Sequence, residues 1–533
     1  MALDMKKIFE FSVDNITKYG DTDIFPFPIE KHIMFDEKNS TLQILEKIHT
    51  DYDKFVTETP PCFINMLTPS GYTGFRWATQ VDPIWNAYLL GLVLSISQEI
   101  EDSRIPKERN NIFSYRIKLD DTEKTIFDVN YGWRSFQEQS LNLAKDDRYK
   151  YVLTCDISNF YSNVYHHRIE NSLAKLGVQD KRIEKNIMDI LQRFSNTKSY
   201  GLPIGGQASR ILAELLLNRT DKLLRSEEIS FCRFVDDYHI FAASEKEAYS
   251  HLLFISKILI ENEGLSLQKS KTRIVTTDEF SQTSILNDSE NNSAKNIFAI
   301  SLKYDPYSMT ADEDYEKLKQ EISNLGILSV LTQELSKSRV HTSLLKKLIG
   351  TLKYLEKSSL ESAAEALLSN LNILAPVFPN IMILFDSVFD DLSEGVQDKI
   401  LETLRDMINE ASYVMKIELN IAYALRVLAK RYNEDNEISV LKIYKNTQSE
   451  LIKRDIIIIM AKWNASHWIS DIKNRYSTLT NLEKRSFIMA SYRLGDEGKH
   501  WRTHHKSSFS SLDILYRDWV SNKPLANGWE YPI

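Results

Sequence analysis

Cysteine is scarce in this chain of 533 residues: only Cys62, Cys155 and Cys232 occur, and no two stand at CxxC spacing. That argues against a disulfide scaffold and against a cysteine zinc site. Long apolar runs are missing as well. The longest, Ala87 to Ile96 and Asp455 to Ala461, have the length of buried helices, well short of the roughly 20 residues a bilayer span needs. Met1 to Gly20 mixes Asp4, Lys6, Lys7, Glu10 and Asp14 among its apolar residues, so no secretory leader is expected there and a cytoplasmic location follows. Positive charge is also in deficit. The formal net charge of -8 disfavours a protein that coats itself in nucleic acid, since phosphate neutralisation needs clustered Lys and Arg. A localised basic channel stays open. What is present is the make-up of an ordered globular chain, 43% hydrophobic and 26% charged. At roughly 150 residues per domain, the length predicts about three or four structural units.

The first 300 or so residues alternate helical and strand-like stretches. Lys150 to Asp156 is a short β-branched and apolar run ending in an acid, and Phe231 to Ala243 is two strand-like runs pinched around a pair of acids. Between them Ser209 to Leu224 has helical periodicity, with Leu212, Leu215, Leu216 and Leu223 on one side. This order predicts an α+β sheet with helices on one face. Thr276 to Lys295 reads as a polar loop or linker. Amphipathic segments follow: Tyr315 to Leu325, Leu344 to Leu355, Glu361 to Leu374, Val396 to Ile408, Leu419 to Arg431, and more towards Leu494. They predict an all-helical array, either HEAT-like helix pairs or an irregular bundle.

Three segments carry chemistry. Asp156-Ile157-Ser158-Asn159-Phe160-Tyr161 puts an acid at a strand end. Gly201-Leu202-Pro203-Ile204-Gly205-Gly206 is a glycine-rich turn leading into a helix, and Phe234-Val235-Asp236-Asp237 sets two acids at a tight turn. Acids at the ends of adjacent strands can meet although far apart in sequence. Phosphoryl transfer needs charge neutralisation, which two divalent ions about 3.5–4 Å apart supply. Magnesium takes hard oxygen ligands and keeps several waters, so two carboxylates plus substrate phosphates suffice. Asp156 and Asp236 are the expected metal pair, with Asp237 in support. An acid pair at a turn is by itself usually a solvated turn, and a GLPxG turn is more often a plain helix entry. Their joint order and spacing are what make them specific.

In these segments the sequence resembles the reverse-transcriptase family. DISNFY matches its first palm motif, GLPIGGQASRILAEL the motif that contacts template and incoming nucleotide, and FVDD the usual YxDD. GLSLQKSKT, Gly264 to Thr272, matches the lysine-containing motif that follows. The resemblance covers roughly residues 55 to 280 and implies a fingers-palm domain within residues 1–300, ahead of a helical domain over 301–533. It implies Mg²⁺ as two ions, or Mn²⁺ in their place, at Asp156, Ile157 and Asp236, and dNTPs as substrates. Position by position it implies catalytic roles for Asp156, Asp236, Asp237 and Lys271, the lysine lying near pyrophosphate. Nucleotide contacts are implied at Arg76, Arg116, Ile157, Tyr161 and Gly205, Tyr161 acting as a steric gate against the 2′-hydroxyl. Tyr161 as a core aromatic, Lys271 as a surface lysine, and Arg76 and Arg116 as structural ion pairs are the alternative readings. Phe234 replaces the usual Tyr, and Ile204 stands where retroviral enzymes carry Gln.

No nuclease, integrase or zinc signature accompanies the polymerase motifs. His166, His167, His504 and His505 are expected to make ordinary polar contacts, and the loose spacing of Arg493 and His500, reminiscent of HEPN ribonucleases, is best ascribed to chance. One polymerase module with one helical module resembles the bacterial abortive-infection reverse transcriptases of the unknown-group defence class, of the AbiK and P2-prophage type. Gly20 to Glu30 and Tyr304 to Glu316 resemble segments flanking the polymerase there. That class implies phage defence, template-free DNA synthesis primed by a protein Tyr, product DNA joined covalently to the chain, a homo-oligomer, and no membrane. With 25 tyrosines the sequence does not single out a primer. Two alternatives stand: RNA-templated synthesis on an associated non-coding RNA, and a non-catalytic scaffold that binds a phage protein.

Overall fold

The computed structural model describes residues 4–196, 198–283, 319–320, 322, 326–337, 339–524 and 528–533. Two compact units emerge. The first comprises Met1–Asn65 and Ala78–Asp288, the second Met66–Trp77 and Ser289–Ile533.

The first unit is built on a four-stranded antiparallel sheet in the order β4-β5-β3-β6. Its strands are β3, Tyr151–Asp156; β4, Ser230–Phe234; β5, Asp237–Ala242; and β6, Arg273–Thr276. Strand side chains alternate between faces, and here the acids share a face with part of the core. The register pairs Val152 with Phe241, Thr154 with His239 and Asp156 with Asp237, so these six lie on one face. That face buries Val152, Cys232 and Phe241 with Phe113, Phe136, Leu141 and Phe280. Phe136 comes from the helix Trp133–Ala144 and stacks on His239 with centroids 4.5 Å apart. The opposite face carries Leu153, Ile240, Tyr238 and Arg233, all buried.

Behind the sheet runs the helix Gln207–Ser226. The expected stripe is present in part: Leu212, Leu215 and Leu216 are buried, but so are Leu217 and Leu224, while Leu223 is half-exposed. A helix packed on several sides needs no single apolar stripe. The expected linker Thr276 to Lys295 is corrected at its start. Thr276 accepts a hydrogen bond from the Glu279 N–H and caps a helix, Thr277–Gln282, that buries Phe280. The rest of that linker, Tyr304 to Glu316, and most of Tyr315 to Leu325 lie outside the described residues.

A hairpin, β1 Phe63–Pro69 and β2 Phe75–Val81, contributes its tip to the second unit. There the Tyr72 hydroxyl donates to the Ile373 carbonyl (3.1 Å) and accepts from the Val340 N–H (2.9 Å). The remainder of the second unit is helical. Helices Thr342–Leu352, Phe378–Val388, Glu418–Leu428, Glu450–Lys462, Asn481–Ala490 and Ser511–Ser521 pack each on the next of this row. A second row, Ile327–Leu335, Lys357–Leu368, Glu394–Asn409 and Glu434–Asn446, stacks in the same way. Ile456 to Ala461 are all buried, which explains an apolar run without periodicity. No helix among the described residues is long and apolar enough to cross a membrane.

Candidate active site

Asp156 ends β3 and faces Asp237, the first residue of β5, directly across the ladder. Opposed residues on one face have Cβ atoms about 4.5–5.5 Å apart. Asp236 sits one residue earlier, in the turn, where its carbonyl accepts from the Ile157 N–H (3.1 Å). By register, therefore, Asp237 rather than Asp236 is the direct partner of Asp156, while Asp236 reaches both from the turn. Burial, then the charges of Asp156 and Asp237, push the Asp236 carboxyl up to about 7. Burial and Asp156 push Asp237 up to about 6. Three acids crowded in low dielectric cannot all ionise without a cation.

Lys271 supplies one cation. It follows the Gly264 turn, where Gln268 N–H donates to the Asp156 carbonyl (2.7 Å) and Leu267 bridges to Ile157, and its ammonium bonds the Asp156 carboxylate. Partial burial lowers the ammonium's pKa, but the bond to Asp156 and the three carboxylate charges outweigh this and hold it above the ordinary lysine range. Ile157 itself is buried and apolar, so only its backbone could serve a metal or a nucleotide.

Beside the acids, the Gln207–Ser226 helix begins at the glycine turn. Gly205 has φ +124°, and a Cβ there would collide with Thr22 Oγ1, so glycine is required on both counts. The segment of Asp21 to Asp23 thus lies against this turn: Gln80 donates to Asp21 (3.1 Å), Asn86 donates to the Asp21 carbonyl (2.9 Å), and Asp23 pairs with Arg210. Tyr161 lies close enough to Asp236, Arg210 and Tyr115 to feel their influence. Tyr115 adopts the left-handed backbone at φ 45°. Burial pushes the Tyr161 hydroxyl far above its usual range.

One arginine falls elsewhere in the first unit. Arg116 is corrected: its side chain is 2% exposed, pairs with Glu101 (2.7 Å) and donates to the Ile105 carbonyl (2.9 Å), which makes it a structural ion pair and not a triphosphate ligand. Burial, then the Arg104 charge, lower its pKa. Arg76 is exposed on the hairpin tip in the second unit, between exposed Phe75 and Trp77. His166 bonds the Gly201 carbonyl (2.8 Å), His167 pairs with Glu170 and His505 stacks on Trp501, so these are the ordinary contacts expected. Arg493 donates to the Ala461 and Trp529 carbonyls.

Arg233 was not singled out by its sequence. On the face opposite the acids it spends all its N–H groups: on Asp221 (2.8 and 2.6 Å), on Glu214 (3.1 and 2.8 Å), and on the Val235 carbonyl (2.8 Å). Val235 holds φ +57°, a costly conformation for a β-branched residue. Glu214 and Asp221 stand on the Gln207–Ser226 helix, so one guanidinium ties that helix to the turn bearing Asp236. An Arg beside a motif carries no periodic signal, and only the seven-residue spacing of Glu214 and Asp221 on one helix face hinted at it.

Among the described residues no group of three His, Cys, Asp or Glu side chains is placed to hold a metal ion. The donor set nevertheless fits a hard divalent ion: clustered carboxylate oxygens, two with raised pKa, leave coordination positions for water and phosphate. Acids at the ends of paired strands, a glycine turn into a helix and a lysine on the acid define a nucleotidyltransferase of palm type. Residues 104–327 match the family "Reverse transcriptase (RNA-dependent DNA polymerase)". The chain therefore carries a reverse-transcriptase domain and is a nucleotidyltransferase, a class that uses dNTPs and divalent metal ions. No curated protein matches the chain. Among solved structures it is similar to telomerase from Candida albicans, with a fragment of telomeric RNA, at 12% identity, 78% of this chain, 70% of that one and TM-score 0.30. It is also similar to apo telomerase from Candida tropicalis at 11% identity, 77% of this chain, 73% of that one and TM-score 0.30.

Proposed function

We propose that this chain is an anti-phage, abortive-infection DNA polymerase of reverse-transcriptase type that adds dNTPs without a template, primed by one of its own tyrosines. The observation that carries the chemistry is the meeting of Asp156, Asp236, Asp237 and Lys271 at one end of β3 and β5. Asp156 and Asp236, with the Ile157 backbone, would hold Mg²⁺ (or Mn²⁺), and the ions supply charge neutralisation for phosphoryl transfer. The attacking hydroxyl oxygen forms a bond to the α-phosphorus, the α–β bridging P–O bond breaks, and pyrophosphate leaves while the hydroxyl proton passes to solvent. Lys271, once free of Asp156, neutralises the pyrophosphate. Tyr161 excludes a 2′-hydroxyl.

The resemblance of Gly20 to Glu30, the helix rows of the second unit and the net charge of -8 support the defence reading. On that reading residues 1–300 are fingers and palm and 301–533 a HEAT-like domain, in a cytoplasmic homo-oligomer. The second reading, synthesis on an associated RNA, is favoured by one feature. Phe75 and Trp77 are exposed on either side of Arg76, the combination that stacks single-stranded bases.

The test is to incubate purified protein with Mg²⁺ and dNTPs and no added nucleic acid. Protein-linked DNA that survives RNase pretreatment of the enzyme is the expected result. Loss of product after RNase would establish the RNA-templated reading, and absence of product under all conditions would favour the scaffold.

A further inference from the structure

The first unit holds a second cluster of charge, away from the acids. A cleft of about 640 Å³ opens between the helices His166–Lys175 and Gln207–Ser226. It lies about 18 Å along the second helix from the glycine turn, at 1.5 Å per residue. Arg168, Lys175, Arg219 and Lys222 line it. None of the four makes an ion pair or side-chain hydrogen bond among the described residues. The one acid in the lining, Glu263, feels the charges of Arg168, Arg219 and Lys175, so four cations face a single carboxylate.

One acceptor of the lining lacks a donor. Asn218 is buried, and its amide nitrogen donates to the Ser103 carbonyl (2.7 Å), which fixes the orientation of the amide; its Oδ1 has no partner. Glu263 is 97% buried at the end of a π-helical turn, Leu259–Glu263, within reach of the charges of Arg168, Arg219 and Lys175. A buried acceptor without a donor is uncommon, and π turns recur at functional sites. A ligand that satisfies the whole cleft brings several negative charges to its rim and hydrogen-bond donors to its floor. A guanidinium fork suits phosphate, and amino or hydroxyl donors are what a nucleoside carries.

We propose that this cleft is a second, non-catalytic nucleotide site that takes a nucleoside triphosphate. It is independent of the polymerase reading, because its cations are side chains and need no metal. In EDTA the three acids of the catalytic centre repel a triphosphate, so binding there reports the cleft alone.

Equilibrium dialysis of labelled dATP against the full-length protein in EDTA is therefore expected to show one saturable equivalent per chain. Arg219→Glu with Lys222→Glu, both exposed, is expected to weaken it at least tenfold while thermal unfolding stays unchanged. Inorganic triphosphate should compete at least tenfold less well than dATP. The absence of saturable binding by wild-type protein overturns the proposal whatever the variant does. So does binding that the double reversal leaves intact, and so does equal competition by inorganic triphosphate, which would mark a plain polyanion patch.

Discussion

At the scale of the residue, the raised carboxyls make a pH prediction. Burial and the neighbouring Asp156 and Asp237 push the Asp236 carboxyl up to about 7 in the folded protein, from about 3.9 when unfolded. Between these values the folded state binds more protons than the unfolded one, so this residue's contribution to stability falls as pH rises from about 4 to about 7. Asp236→Asn removes that slope. In EDTA it should raise stability at pH 8 by about 1–3 kcal/mol relative to wild type, a figure discounted for partial exposure. Urea titrations at pH 5 and pH 8 measure it, and equal gains at both would refute the crowding of acids. Arg233 gives the converse case. Arg233→Gln leaves Glu214 and Asp221 short of their shared cation in a buried place, and should cost about 3–5 kcal/mol of stability.

Elements show how much of the site was legible and why the rest was not. Strand-end acids, a glycine turn and a lysine motif are local signals, and β3, β4, β5 and the Gln207–Ser226 helix lie close to where the residues put them. Register is not local. That Asp237 rather than Asp236 opposes Asp156 depends on a turn in which Val235 takes a left-handed backbone, and β-branched residues give no warning of that. Arg116 looked like a phosphate ligand because burial and its partner Glu101 are tertiary facts. The packing of Thr22 against Gly205 joins residues 183 positions apart, and no periodicity connects them. It yields a prediction: Gly205→Ala needs a backbone φ that alanine rarely adopts as well as room that Thr22 occupies. It should destabilise by about 1–3 kcal/mol, and Thr22→Ala in the same chain should recover only part of this. Full recovery in a thermal melt would show that φ imposes no strain.

At the scale of the whole molecule, charge sets the expectation. A chain with net charge -8 should hold plain duplex DNA more weakly than the 10⁻⁴–10⁻⁶ M usual for non-specific binders at physiological salt. Fluorescence anisotropy with a random duplex checks this, and sub-micromolar affinity would contradict it. The account itself rests on the carboxylates that meet at the end of β3 and β5. Incorporation of labelled dNTP with Mg²⁺ by wild type, set beside Asp236→Ala with Asp237→Ala, tests them most directly. The account predicts a loss of at least about 10³-fold in a variant that still unfolds cooperatively, since metal-held charge supplies most of the barrier reduction. Full incorporation by the folded variant would contradict it.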